Sequence, residues 1–406
     1  MLRVKTPDEV LEIIDREFEP LSGLAETVGL DSAPGRVLAE DIYAAEDVPG
    51  FARSTVDGYA LRASETFGCT EALPAMFRLV REVRMGKAAD FELGPGECAA
   101  VPTGGAIPAG ADCAVMLEHA EDYGDGWIGV SKPSAPGRDI IRADEDAAAG
   151  QLMFRRGRRL RSQDIGALAA LGCAEVEVAR RLRVAVISTG DELVSPSETP
   201  GEGQIRDVNS PMLMALLREF GAEPVFCGRV GDEDELLASA LRGAAESADA
   251  VLISGGSSVG KRDAACRVIG SEGKLLLHGV AMKPGKPSIL GKVGGKPVFG
   301  LPGHPVAAWF VTRLFVLPLL DRLSGAERRQ YKVRARLAEP VSANDGRALY
   351  MGVRLTEGED GLEALPVRGK SGLISTLSGS DGFICVGRDC EGLPKGAEVE
   401  VTVCGG

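Results

Sequence analysis

Aromatic residues are scarce in this chain, 5 % of 406, and histidine occurs only at 119, 278 and 304. So few imidazoles argue against a Cys/His zinc site. The nine cysteines, at 69, 98, 113, 173, 227, 266, 385, 390 and 404, offer little more. Their closest pair, Cys385 and Cys390, has neither ligand spacing nor a local histidine. An odd, dispersed set reads as buried thiols of a reducing compartment. Long apolar runs are missing too. The longest, Val306 to Leu320, is broken by Arg313 and Pro318, and falls short of the roughly 20 residues that span a bilayer. The N-terminal MLRVKTPDEVLEII turns acidic too early for a signal peptide, so a cytoplasmic protein is expected. Positive charge is also in deficit: 46 Lys+Arg against 59 Asp+Glu leave −13. That balance argues against general nucleic-acid or anionic-membrane binding. An anionic substrate would need Lys, Arg and backbone N–H groups concentrated locally against the overall field.

What is present is glycine (53), proline (23) and an ordinary globular balance of 44 % apolar and 26 % charged residues. A chain this long divides into two to four units. Thr6, Pro7 and Glu9 form a capping box ahead of Val10, Ile14 and Phe18 at helical spacing. From about Val48 to Gly150 short strands alternate with Gly/Pro turns, which predicts a β-rich insertion. Helical character returns in SQDIGALAALG, between the basic runs RRGRRLR and RRLR, which read as a solvated, salt-bridged face. From 182 to about 320, strands such as LRVAVIST and ADAVLISGG alternate with helices such as SPMLMALLREFG, where Gly221 is the C-terminal stop. This alternation predicts a doubly wound, mostly parallel α/β core. Short strands return from Tyr331 to Val403. The expected division is 1–47 with 150–181, 48–149, 182–324 and 331–406.

In open α/β sheets ligands bind beyond the carboxyl ends of the strands. Three segments there are rich in special residues: STGDEL (188–193), SGGSSVGKRD (254–263), and MKPGKP (282–287) followed by GLPGHP (300–305). Gly-rich loops allow close backbone approach to oxyanions, and Lys283 and Lys286 in a Pro-Gly turn can point at one compact anion. The Walker pattern GxxxxGK[ST] is absent. Asp191, Glu192, Asp207 and Asp263 lie beside these loops, where carboxylates hold a divalent cation or position water. For Asp207 and Asp263, capping of a helix N-terminus is an equally open reading.

The run PGFARSTVDGYALR (49–62) resembles the PxFxxSxMDGYAxR motif of the MoeA-type molybdopterin molybdenumtransferases, the family that includes the E domain of gephyrin. The resemblance continues in order through VPTGGAIPAGADCAVMLE (101–118), the strand-end segments, IRDVN (205–209), GLPGHPVAA (300–308) and GKSGLISTLSGSDGFICV (369–386). It implies a homodimer of four-domain subunits that inserts molybdate into adenylylated molybdopterin, giving molybdenum cofactor and AMP with Mg²⁺. Tungstate is an alternative oxyanion. Contacts with the pterin adenylyltransferase and downstream cofactor-handling proteins are further expectations. An adenylyltransferase and a non-catalytic scaffold are the competing readings. The inserted and terminal β units argue against the first, and the lack of fused partner-binding segments against the second.

Carried over residue by residue, the resemblance implies that Asp57, Asp146, Glu192, Asp207 and Asp263 are catalytic carboxylates, with Asp57 and Glu192 holding the metal. It further implies that Thr103, Ser258, Lys283, Lys286, Arg347 and Ser371 bind substrate. The chain departs from the family pattern in four places. Val56 replaces Met before Asp57. Asp144 stands where IRxxGED has Gly, and Gly352 replaces the second Arg of GRxxFxR, with Arg354 a candidate to compensate. His304 replaces the common Asn of LPGNP, where a loop-stabilising hydrogen bond is expected.

Overall fold

A computed structural model describes residues 4–231, 233–255, 261–328, 330–343, 346–359 and 361–404, with backbone alone at 261–263. The fold centres on strands whose neighbouring side chains are buried on opposite faces. In β1 (Arg183–Thr189), Val184 and Val186 enter one apolar cluster while Ala185 and Ile187 enter another. A strand buried on both sides needs helices on both faces, and the sequence supplies them. With α1 (Asn209–Phe220), β2 (Glu223–Val230), α2 (Asp234–Ser247), β3 (Ala250–Gly255), α3 (Lys261–Glu272), β4 (Gly273–His278), β5 (Ile289–Val293) and β6 (Lys296–Leu301), the sheet runs β2-β1-β3-β6-β5-β4. The first four strands are parallel. The last two add antiparallel, which the strand-helix alternation does not reveal. Gly221 ends α1 at φ +94°, a left-handed stop that glycine adopts without a Cβ penalty.

The opening helix, Pro7–Glu17, carries its capping box as expected, Glu9 N–H to Thr6 Oγ1 at 3.2 Å and Thr6 N–H to Glu9 Oε2 at 2.8 Å. Its Val10, Ile13 and Ile14 are buried in the core of the α/β unit, beside α1 and the helix Leu317–Ser324. The strand Glu175–Ala179 lies between Ala25–Gly29 and Val37–Leu38, which ties the residues after 150 to the N-terminal segment. Between them, residues 58–130 form a six-stranded β unit with its own apolar clusters. The basic runs are salt-bridged: Arg158 to Asp164 at 2.7 Å, Arg159 to Asp321 at 3.1 Å, and Arg180 to Asp249 at 2.8 Å.

In the terminal unit, the eleven-residue strand Ala348–Gly358 pairs with both Gly361–Pro366 and Gly382–Val386, closing five strands into a small barrel. At its other end the same strand pairs in parallel with Met282–Lys283 of the α/β unit. That pairing carries Lys283 to Arg347 across two units far apart in sequence. The run Val306–Leu320 is buried between them, and no helix among the described residues is long and apolar enough to cross a membrane.

Candidate functional site

At the carboxyl end of β1 the chain turns at Gly190, whose φ of +144° suits glycine. A side chain there would meet the Glu192 carboxylate at 2.8 Å. Glu192 is half-buried, and its carbonyl accepts from Ile205 N–H at 2.8 Å, fixing the GDEL turn against the IRDVN segment. Asp207 is 3 % exposed, and its carboxylate accepts from Ser210 N–H at 3.0 Å and Ser210 Oγ–H at 2.7 Å. Both oxygens thus serve the first turn of α1, the geometry of a helix cap. Asn209, two residues on, is a residue that reading IRDVN for its carboxylate misses. It is buried, and its Nδ2 donates to Ser254 Oγ and to the Gly303 carbonyl, each at 2.9 Å. One amide therefore ties α1, the end of β3 and the loop before α4 (Pro305–Val311) together. Ser258 lies outside the described residues, as does the Asp263 side chain.

Between the α/β unit and the barrel opens a cleft of about 660 Å³. Lys283, Lys286, Arg347 and Ser371 all line it, joined by Arg368 and Lys370, which the sequence reading did not single out. Among the described residues its lining includes no Asp or Glu. In a chain of net charge −13, this is the local cation concentration that an anionic ligand requires. The lysine turn is held from behind: Val280 N–H donates to the Lys286 carbonyl at 2.9 Å, and Ser288 Oγ–H to the Gly285 carbonyl at 2.6 Å. Arg368 is already engaged, bonded to Glu339 Oε2 at 3.2 Å and to the Pro340 carbonyl at 2.7 Å. His304 Nδ1 lies 2.7 Å from Ser371 Oγ, and Val306 N–H donates to the Ser371 carbonyl at 3.2 Å. The hydrogen bond expected at His304 thus joins the two walls of the cleft. Tyr350, also in the lining, has its phenol pushed up by burial and stays protonated.

Gly352 lines the cleft where the family motif has Arg. A Cβ there would overlap Ser380 Oγ, so the turn after Ser375–Ser378 sits directly on the bare backbone. Arg354 is exposed near Gly379 and is not among the lining residues. It therefore does not replace the missing guanidinium in this arrangement.

Asp57, Thr103 and Asp146 lie elsewhere, on or beside the inserted β unit, and do not line the cleft. Asp57 Oδ1 accepts from Thr103 N–H at 2.8 Å, and both residues are exposed. Val56 fills the Met position as a half-buried apolar residue packed on the inserted unit's core. Asp146 is exposed, with its N–H bonded to the Val48 carbonyl at 3.0 Å. Asp144, standing in the Gly position, has φ +63°, a conformation that Asp tolerates better than most side chains. Among the described residues no three His, Cys, Asp or Glu side chains gather to hold a metal. Burial pushes the thiols of Cys98 and Cys113 up to about 12 and about 11, well away from nucleophilic thiolates.

The chain matches the MoeA N-terminal region (domain I and II) over residues 5–172. It matches a probable molybdopterin binding domain over 185–322 and the MoeA C-terminal region (domain IV) over 334–404. It is 31 % identical to the molybdopterin molybdenumtransferase of Bacillus subtilis, covering 99 % of this chain and 95 % of that one. A putative molybdopterin biosynthesis protein of Methanocaldococcus jannaschii is 33 % identical over 92 % of this chain and 91 % of its own. The crystal structure of the MoeA protein from Pyrococcus horikoshii superposes with a TM-score of 0.86, at 34 % identity, covering 99 % of this chain and all of that one.

Proposed function

Because this chain belongs to the MoeA family and acts as a transferase in molybdenum cofactor biosynthesis, we propose that its reaction is molybdate insertion into adenylylated molybdopterin with release of AMP. The observation that carries this reading is the cleft lined by five cations and, among the described residues, no carboxylate. Molybdate is a compact dianion with four acceptor oxygens and no hydrogen-bond donor. Lys283 and Lys286, three residues apart on a backbone held by Val280 and Ser288, present ammonium groups to it. Arg347 and Lys370 extend the positive surface toward the barrel wall. Charge-assisted hydrogen bonds hold the oxyanion while the two dithiolene sulfurs displace an oxygen from its metal, that oxygen leaving as water with the two thiol protons. Glu192, in the turn after β1, positions the adenylate or a water.

Mg²⁺ belongs to this proposal. Its donor chemistry fits: Mg²⁺ takes oxygen ligands, keeps several waters, and is commonly bound by one or two carboxylates together with substrate phosphates. It therefore does not require three carboxylates gathered in the free protein. Asp57 and Glu192 would hold it, Asp57 through the oxygen that Thr103 N–H does not occupy. When bound, the cation would offset charge on the phosphates of the adenylylated pterin. We place Asp57 and Glu192 in one site contributed by two subunits of a homodimer, because neither lines the cleft around Lys283 and a two-fold axis brings different faces of two chains together. The adenylyltransferase upstream and cofactor-handling proteins downstream are the proposed transient partners.

The test is an end-point assay with purified protein and adenylylated molybdopterin, with and without molybdate and Mg²⁺. The expected result is AMP release and active cofactor only when molybdate is present. AMP release at the same rate without any oxyanion would overturn the reading, and tungstate in place of molybdate measures selectivity.

A further inference from the structure

One member of the cleft lining differs in kind from the rest. Lysine and arginine side chains as a class keep their charge from pH 6 to pH 8, whereas imidazole is the side chain whose charge changes there. Lys283, Lys286, Arg347, Arg368 and Lys370 share the cleft with His304, and no carboxylate does among the described residues. On the adjoining α1, the acidic Asp207 is committed to Ser210. His304 thus sits at the start of α4, in the same cleft as those cations. A dianion bound beside an imidazole favours its protonated form. The imidazole is exposed to solvent, which can supply a proton, and its Nδ1 is held 2.7 Å from Ser371 Oγ.

We infer that His304 takes up a proton at Nδ1 when a tetrahedral dianion enters the cleft, and that this uptake turns the Ser371 hydroxyl toward the anion. The inference rests on reading the cleft as an oxyanion site. With the imidazole in its Nε2–H form, Ser371 O–H donates to Nδ1. A proton from solvent at Nδ1 makes that nitrogen the donor and Ser371 Oγ the acceptor. The serine hydrogen is then released to bond an oxygen of the anion. The cleft gains one positive charge and one donor, and no other bond changes. His304 is therefore a positioning residue for Ser371 that couples anion binding to pH.

The experiment is calorimetric titration of the full chain with molybdate and, separately, sulfate at pH 6 and pH 8, where both probes are dianions. Repeating each titration in two buffers of different ionisation enthalpy counts the protons taken up. Wild-type protein should bind at least about threefold more tightly at pH 6, below the ceiling of roughly tenfold per pH unit for one linked proton. His304→Asn keeps an N–H able to donate to Ser371 Oγ but does not titrate, so its affinity should not change with pH. Ser371→Ala should bind more weakly at both pH values yet keep the proton uptake. Equal binding of both dianions with proton uptake would support the inference while removing the case for a molybdate-specific site. Binding by wild type that does not vary with pH, or equal variation in His304→Asn, would overturn it. Failure of the wild type to bind either dianion would overturn both.

Discussion

Replacing Lys286 with alanine removes one cation from the cleft, and its surroundings set the size of the effect. A charge-assisted hydrogen bond contributes about 1.5–3 kcal/mol. Lys286 is exposed, so water screens it and the lower end applies, about 1.5 kcal/mol, roughly tenfold in affinity. Its contribution is not cancelled locally, because no carboxylate among the described residues lines the cleft. Arg368 is the internal control. Its guanidinium already bonds Glu339 and the Pro340 carbonyl, so Arg368→Ala should shift affinity by about twofold or less. The assay is initial rate against molybdate at saturating adenylylated pterin, with pterin affinity measured separately. Lys286→Ala should raise the molybdate concentration for half-maximal rate about tenfold, with the rate at saturation little changed, as expected for a pure binding contact. Raising ionic strength should weaken molybdate use less in the variant than in the wild type. If pterin affinity falls and molybdate dependence does not, the lysines hold the pterin phosphate instead. If Arg368→Ala is as damaging as Lys286→Ala, the reasoning from local charge pairing is wrong.

Glu192→Gln should lower turnover by at least ~10²-fold without changing the unfolding midpoint, the scale of one electrostatic or acid–base contribution; near-wild-type turnover would remove Glu192 from the chemistry. Mixing inactive Asp57→Asn with inactive Glu192→Gln and letting subunits exchange should restore about a quarter of the sites if each site combines two chains. Verified exchange with no recovery would place both residues in one chain. Burial pushes the Asp321 carboxyl up from 3.8 to about 6, against the opposing effect of Arg159. The folded chain therefore keeps a proton that the unfolded chain releases, and stability should fall as pH rises from about 4 to 6. Asp321→Asn, which still offers Arg159 an acceptor, should remove a penalty of about 3 kcal/mol at pH 8 and little of it at pH 4. Denaturant midpoints at the two pH values check this, and an equal change at both, or no gain at pH 8, would contradict it. Gly352→Arg should displace the turn bearing Ser380 and lower stability by roughly 1–3 kcal/mol, the scale of overpacking; an unchanged unfolding midpoint would show that the turn moves freely.

Local signals revealed most of the elements and part of the cleft. Thr6, Pro7 and Glu9 mark the first helix because capping depends on neighbours three residues apart. Gly221 marks the end of α1 because a left-handed backbone selects glycine. The hairpin of β5 and β6 was not legible, since GKVGGKP could equally join a strand to a helix and the pairing partner β4 is set by the sheet edge. Arg368 was missed because nothing local distinguishes it from a solvated surface charge, whereas Lys370 stands in the GKSG segment that carries the resemblance and was passed over for Ser371; the barrel brings both to the cleft. Asn209 was missed because its two acceptors, Ser254 and Gly303, are 45 and 94 residues away.

The sequence by itself determined the alternation of strand and helix, the β-rich flanks, the resemblance to the MoeA family and the chemical character of the strand-end loops. All of these depend on residue type and short-range spacing, which period, capping and turn rules read directly. Tertiary structure decided which of those residues meet. Parallel pairing of Met282–Lys283 with Ala348–Gly358 set Lys283 beside Arg347, and packing of the barrel against the α/β unit made a cleft without a lining carboxylate among the described residues. Burial of Asp207 against Ser210 gave a motif carboxylate the contacts of a helix cap. Those outcomes depend on contacts between segments tens of residues apart, and local pattern carries no information about which of the possible long-range pairings buries the most apolar surface while leaving the charged groups solvated or paired.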